Sequence, residues 1–460
     1  MSGLTANLPK TADPTVELKR LADEHDQAGR LDEAQACLEQ VLALAPNDAH
    51  AVHMMGVVTY RKGRWDEGAA LMERSLTLGP PRPLYLRNLC EVYRTLGRYD
   101  EALDAGRKAL AGDPNDPVAQ VNLSVLHYER AEPAEAIACA ERALKTNPNL
   151  PGAHFGLAEA LLLQGEFERG WEEYEWRFRL AGVPSLMPKS EVPQWDGRPL
   201  PGRLMLIADQ GFGDCVQFAR YIPWAAERCG EVVVACAQEL QPLIGQLPGA
   251  ATLFDRWEAG PQADAYCPLS GLPRLHGTRL DSIPGGEPYL AADPARSTAW
   301  TARLDALAAP RHRRIGLAWA GRPTHKNDRN RSLALSALAP ITDADGVTFV
   351  SLQKGPPQAQ VGGYFGRAPL INLGPEIEDF ADSVAVIDGL DLVVTVDTAI
   401  GHLAGAMGKA VFIMLPYASD WRWLEGRLDT PWYPTVRLFR PPAPRDWDAV
   451  GKAVAEAIGE

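Results

Sequence analysis

Small residues and prolines recur along the first third of the chain with a period of 34. Gly29, Gly63, Gly97, Ala131 and Gly165 fall on one register, and Pro46, Pro80, Pro114 and Pro148 on a second. Ala34, Gly68, Ala102, Ala136 and Gly170 hold a third. A fixed period of this length marks stacked supersecondary units, none of which buries its apolar face alone. Each unit reads as a helix, a Gly-centred turn, a second helix and a terminating Pro. The turn is Gly-Arg-Leu-Asp-Glu-Ala at 29–34, Gly-Arg-Trp-Asp-Glu-Gly at 63–68 and Gly-Arg-Tyr-Asp-Glu-Ala at 97–102. Gly suits a left-handed helix stop, and Asp-Glu complements the positive N-terminus of the helix that follows. The small residue five places on lets the paired helices approach closely.

These landmarks are similar to the tetratricopeptide repeat (TPR), and about four and a half repeats span residues 15–180. The resemblance implies an α-superhelix with a concave groove for an extended peptide. Asn88 and Asn122 occupy one position in successive first helices, where an amide offers both a donor and an acceptor to a peptide backbone. They resemble the asparagine ladder of TPR-bearing protein glycosyltransferases, with Met54 and Gly156 at the equivalent positions. The alternative is a pair of solvated polar side chains. Trp171, Tyr174 and Phe178 share one helical face and read as a cap that docks the repeats on the next domain. Residues 181–202, rich in Pro and including Trp195, read as an ordered connector.

From Arg203 the pattern changes to short apolar runs alternating with helical stretches, which predicts parallel sheets. Residues 203–290 form a first Rossmann-like half with strands at Leu204–Ala208, Val232–Ala237 and Ala265–Leu269. Its helices are expected at Cys215–Arg228 and Gln238–Gln246. Residues 285–312 read as a linker. A second half, 311–442, carries strands at Arg314–Ala320, Val347–Leu352, Ile371–Leu373, Asp391–Val396 and Val411–Leu415. Residues 443–460 close the chain with a helix. Two such halves leave a cleft, a natural place for a nucleotide.

Three segments carry candidate chemistry. Leu204-Met-Leu-Ile-Ala-Asp-Gln-Gly-Phe-Gly-Asp214 is a strand, a turn and a helix start near Asp214. Gly211 and Gly213 are expected to take positive φ and to admit a ligand closely. Asp214 then lies at the mouth of the sheet as a general base, or serves as a plain N-cap. In Val393-Val-Thr-Val-Asp-Thr-Ala-Ile-Gly-His402, Asp397 and Thr398 end a strand and His402 stands one turn into the next helix. That helix N-terminus is an anion site, unless Asp397 caps it and His402 packs in the core. Third, Arg322, Lys326, Arg329 and Arg331 crowd the loop after the first strand of this half, and Gln353 and Lys354 end the next strand on the same edge. They suit a phosphate, although charged loops are commonly just solvated. Trp421 and Trp423 either stack on a base or sit in an aromatic core.

Composition narrows the field. With 46 Lys and Arg against 59 Asp and Glu, the net charge of −13 argues against a general nucleic-acid or anionic-membrane binder. No apolar run reaches the roughly 18 residues of a transmembrane helix. Seven cysteines without a C-x-x-C pair fit reduced thiols in a cytoplasm. Neither H-E-x-x-H nor a Cys/His cluster suggests a metal.

Residues 200–440 resemble the heptosyltransferases of glycosyltransferase family 9. Asp209–Asp214 looks like that family's Gly-Asp loop, and Asp397, Thr398 and His402 look like its donor-diphosphate motif. The resemblance implies a GT-B fold and inverting, metal-independent transfer from a nucleotide sugar, without a cofactor. The whole architecture is similar to bacterial TPR-fused glycosyltransferases, some of which modify flagellin with nonulosonic acid sugars. HKNDRNRS (325–332), SLQKG (351–355), DWRW (420–423) and PWYP (431–434) look typical of that group. It implies Asp214 as catalytic base and a donor site of Gly211, Gly213, Lys326, Arg329, Arg331, Gln353, Lys354, Asp397, Thr398, His402 and Trp421. The acceptor implied is Ser or Thr of a protein such as flagellin, held in the TPR groove near Asn88 and Asn122, with the chain itself expected in the cytoplasm. The basic loop and the 420–423 segment depart from the heptosyltransferases, so an ADP-heptose donor does not follow. Two rivals stand beside this reading: transfer to a lipid or saccharide, and a non-catalytic TPR scaffold.

Overall fold

The computed structural model describes residues 13–183, 192–250, 252–256, 258, 260–325 and 327–460. The chain divides into two compact units, one up to Leu157 and one from Ala158 to Glu460.

Paired helices build the first unit: α1 (Pro14–Gln27) with α2 (Leu31–Leu44), α3 (Ala49–Arg61) with α4 (Trp65–Thr77), α5 (Pro83–Thr95) with α6 (Tyr99–Gly112), and α7 (Pro117–Glu129) with α8 (Pro133–Thr146). α9 (Pro151–Leu163) starts in this unit, and α10 (Phe167–Tyr174) belongs wholly to the second. The 34-residue register has a backbone cause. Gly29, Gly63, Gly97 and Gly165 all take φ between 73° and 83°, and Ala131 takes 57° at the same place. The small register is the helix crossing: a Cβ on Gly68 would stand 2.9 Å from the Gly56 carbonyl oxygen. Ala131 alone of the five carries a Cβ in the left-handed region, which disfavours it. Ala131→Gly is therefore expected to stabilise the repeats by about 0.5–1 kcal/mol, read as a higher denaturant midpoint at an unchanged slope.

The second unit holds two all-parallel sheets. In the first, β1 (Leu200–Ile207), β2 (Cys229–Ala235), β3 (Thr252–Phe254) and β4 (Ala265–Pro268) lie in the order β3-β2-β1-β4. The second comprises β5 (Arg313–Ala318), β6 (Val347–Ser351), β7 (Leu370–Asn372), β8 (Leu392–Val396), β9 (Val411–Met414) and β10 (Val436–Phe439), ordered β10-β9-β8-β5-β6-β7. Every residue of β6 and β8 is buried, as strands covered on both faces require. The helix Trp447–Gly459 sends Val450, Val454 and Ile458 into the same core as Ile315, Trp319 and Phe349.

Several boundaries move. β1 begins at Leu200, inside the expected connector, and β3 and β10 are strands beyond those expected. The single helix expected over Cys215–Arg228 is two, α11 (Phe212–Ala219) and Ile222–Ala226, because Pro223 has no N–H to continue the ladder. Gln238–Gln246 is a 3₁₀ turn followed by a one-turn helix. The expected linker 285–312 contains a helix, Pro294–Leu307, whose N-cap Asp293 accepts from the Arg296 N–H at 2.9 Å. Within the connector, Trp195 is buried and donates its indole N–H to the Arg198 carbonyl at 2.8 Å.

Candidate functional site

In each sheet the strand order reverses beside the first strand, between β1 and β4 in one and between β5 and β8 in the other. Open parallel sheets hold ligands at such switch points, outside the carboxyl ends of their strands. The Asp209–Asp214 loop follows β1, the basic loop follows β5, and Asp397-Thr398 follows β8. All three therefore leave the sheets at ligand-binding positions.

The first loop differs from its sequence reading in two ways. Gly211 has φ −67°, and Gly213 is not among the positive-φ residues, so the glycines do not serve a left-handed turn. Gly213 is small because His402 approaches it: a Cβ there would lie 2.7 Å from the imidazole Cδ2. Gly211, not Asp214, is the N-cap of α11. Asp214 is the third residue of that helix and reaches back to accept the Gly211 N–H at 2.9 Å. Its other oxygen is ion-paired with Arg422, and the side chain is 24% exposed. Burial raises the Asp214 carboxyl above the ordinary carboxylate range, and Arg422 pulls it back down.

Arg422 joins the two halves. It is buried, donates to Asp420 at 2.8 Å within its own turn, and crosses to Asp214 and to Gln210 Oε1, the latter at 3.3 Å. Gln210 donates in turn to the Tyr174 hydroxyl at 2.9 Å. At the head of the loop, buried Asp209 accepts the Ser270 N–H at 3.1 Å and the Ser270 hydroxyl, with Arg177 Nε 3.6 Å away.

In the second half the helix Ala399–Ala406 starts at Thr398, and no described side chain caps it. The Thr398 hydroxyl lies 3.0 Å from that of Thr395. Asp397 is buried but is not the cap; its backbone carbonyl accepts from Arg331 Nη1 at 2.9 Å, which seats the basic loop beside this helix start. His402 Nδ1 lies 2.9 Å from the Tyr433 hydroxyl, and the Trp423 ring tilts over the imidazole at 5.2 Å. Burial lowers the His402 pKa to about 3, so the ring is neutral at physiological pH. Asp397 titrates above the ordinary range because it is buried near the Asp420 charge, while Arg422 holds Asp420 below it.

The signs of these two shifts are opposite. A carboxyl that binds its proton more tightly in the folded chain, as Asp397 does, favours folding in acid and loses that contribution as pH rises through its folded pKa. Asp420 contributes stability above its unfolded pKa and loses it as pH falls. Asp397→Asn is expected to raise the melting temperature near neutral pH and to flatten its decline between weak acid and neutrality. A melting series against pH checks both.

Other candidates are committed elsewhere. The Gln353 amide accepts the Trp319 and Ala320 N–H groups and donates to the Ala320 and Lys354 carbonyls, all at 2.9 Å, so it pins the strand ends instead of facing a ligand. Lys354 donates to the Gly374 and Ile377 carbonyls at 2.8 and 2.7 Å. Trp421 is buried edge-on against Trp171 and Tyr174, which makes it core and not a base platform. Arg322 lies 5.5 Å from the Phe212 ring centroid, spanning toward the first loop, and Arg329 is exposed. Lys326 lies outside the described residues. In the repeats, Asn88 Nδ2 meets His53 Nε2 at 3.0 Å and Asn122 Nδ2 donates to the Arg87 carbonyl at 3.2 Å. Each amide thus ties its helix to the first helix of the preceding repeat.

Comparison with known proteins agrees with the periodicity. Tetratricopeptide-repeat models match residues 19–83, 53–117, 93–149 and 151–170. The N-terminal region carries TPR repeats. The chain is also 30% identical over 339 residues to Protein FlbA of Caulobacter vibrioides, across 66% of this chain and 54% of FlbA. It thus spans about half the length of the curated relative it matches. Among solved structures, the TPR protein YrrB is similar at 18% identity over 36% of this chain and 85% of its own, with a TM-score of 0.30. Pseudomonas aeruginosa pilF is similar at 21% identity over 38% and 80%, with a TM-score of 0.34. At 339 residues the FlbA match is longer than the stretch from 19 to 170 that the TPR models match.

Arg422, Asp420, Gln210 and Tyr433 were not singled out from the sequence. The signal for Arg422 is the DWRW segment, in which the arginine stands between two tryptophans.

Proposed function

We propose that this chain is an inverting glycosyltransferase of GT-B architecture that needs no metal and moves a sugar from a nucleotide-activated donor to a protein hydroxyl. The observation that carries the reading is the convergence of both switch points: Asp214 meets Arg422 and Gly213 packs on His402, so groups from both sheets face one another. In the proposed step Asp214 takes the proton of a Ser or Thr hydroxyl. The acceptor oxygen bonds to the anomeric carbon from the face opposite the leaving phosphate, and the bond to phosphate breaks with its electron pair. Charge growing on that phosphate is met by the uncapped helix start at Thr398, by neutral His402, and by Arg331 and Arg329 of the basic loop. Gly211 and Gly213 keep the approach narrow. The TPR repeats suit a protein acceptor, and the overall resemblance favours flagellin with a nonulosonic acid sugar over a lipid or saccharide acceptor.

A scaffold reading draws on one observation, that both oxygens of Asp214 are engaged and Asp397, His402 and Arg422 are buried. Incubating the full chain with flagellin and a CMP-activated nonulosonic acid separates the two. Transfer adds the residue mass of one sugar per modified Ser or Thr by intact-mass and peptide mass spectrometry. No added mass with this donor, and none with UDP-, GDP- or ADP-sugars, would sink the transferase reading.

A further inference from the structure

Arg422 has more demands on it than its own turn supplies. It sits in the turn Trp421–Trp423 of the second half, yet Asp214 and Gln210 belong to the loop after β1 of the first. Nη1 goes to Asp420 and Nη2 to Asp214 and Gln210, while Nε is buried with no hydrogen-bond partner among the described residues. A buried guanidinium N–H without an acceptor is costly, and an incoming acceptor relieves that cost. The neighbouring residue, Trp423, lies against His402, one turn into the helix proposed to take phosphate. Asp214 is in the converse position. With Gly211 on one oxygen and the Arg422 cation against the other, its affinity for a proton from an acceptor hydroxyl is lowered.

We infer that Arg422 is shared: Asp214 holds it while the donor site is empty, and the donor's phosphate takes it on binding, which frees Asp214 to act as base. The inference rests on the glycosyltransferase reading and adds an order to it, donor before base activation. Arg422 is a positioning residue toward Asp214 and a ligand-binding residue toward phosphate. Asp214 and phosphate thus compete for one cation, and removing the first strengthens the second. An arginine that only braces the fold gives the opposite sign, because losing its carboxylate partner loosens the site.

The test is calorimetric titration of the full chain with CMP, UDP, GDP and ADP. For whichever nucleotide binds, Asp214→Asn should tighten binding by about tenfold, the scale of one charged hydrogen bond released. Asp214→Ser, which also removes the carboxylate, should give the same gain and guards against a folding defect in the first variant. Arg422→Gln should weaken binding by a similar factor, and Arg422→Gln combined with Asp214→Asn should show no gain over Arg422→Gln. Equal or weaker binding by both Asp214 variants, with the wild type binding normally, overturns the shared arginine and leaves the transferase reading standing. If neither the wild type nor an Asp214 variant binds any of the four, the donor site itself is refuted and the inference falls with it.

Discussion

Replacing Asp214 by Asn is expected to slow glycosyl transfer by about 10²–10⁴-fold, the usual worth of a general base. Asn can still accept the Gly211 N–H, so the helix start survives, and what disappears is the negative charge and the proton-accepting oxygen. Burial places the Asp214 carboxyl above the ordinary range, and release of Arg422 raises it further, which makes it a stronger base than a solvated aspartate. The acid limb of the wild-type rate should accordingly lie above the usual carboxylate pKa. The measurement is initial transfer rate by mass spectrometry, paired with nucleotide titration on the same preparation. A folding defect lowers both, whereas loss of the base lowers transfer and leaves nucleotide binding intact or improved. Transfer within tenfold of wild type would assign the proton to another group.

The repeats were legible because their determinant is local. A left-handed residue every 34 positions shows as Gly, and the tight crossings show as Gly or Ala, so periodicity and structure coincide. Buried parallel strands also announced themselves as apolar runs. What escaped was set by tertiary context. β3 runs only three residues, and the helix at Pro294–Leu307 lies in a stretch that reads as linker despite its Asp293-Pro294 start. The glycines of the first loop were assigned to backbone freedom, but Gly213 answers to an imidazole almost 190 residues away in the chain. The role of Arg422 is hidden for the same reason: its meaning lies in Asp214 and Gln210, which only the fold brings to it. Gln353 and Lys354 show the converse error. Polar residues at a sheet edge suit phosphate by type, yet these two spend their hydrogen bonds on backbone carbonyls and N–H groups.

The last repeat gives the largest expected effect on stability. Arg177, in the 3₁₀ turn after α10, is 5% exposed and lies over the Tyr174 and Phe178 rings at 4.6 and 4.0 Å. It donates to Ser270 Oγ at 2.5 Å, and its Nε lies 3.6 Å from the buried Asp209 carboxylate that heads the candidate loop. Arg177→Met keeps the apolar stem and removes the cation, leaving Asp209 with Ser270 alone in a low-dielectric interior. Breaking such a pair costs about 3–5 kcal/mol, a large share of the roughly 5–15 kcal/mol that holds a domain folded. Calorimetry should show the transition of the second unit falling by roughly 10 °C. Arg177→Met with Asp209→Asn should recover most of that loss, since no buried charge is then stranded. A change below about 1 kcal/mol would mean that water reaches the pair. The same contacts decide where the repeats can be cut away. Trp171, which donates its indole N–H to the Thr278 carbonyl at 3.1 Å, and Arg177 both precede residue 180, although they belong to the second unit. Removing residues 1–157 is therefore expected to leave a folded body, and removing 1–180 to unfold it. That difference makes Leu157 the place to cut when testing the proposed division between acceptor reading and chemistry.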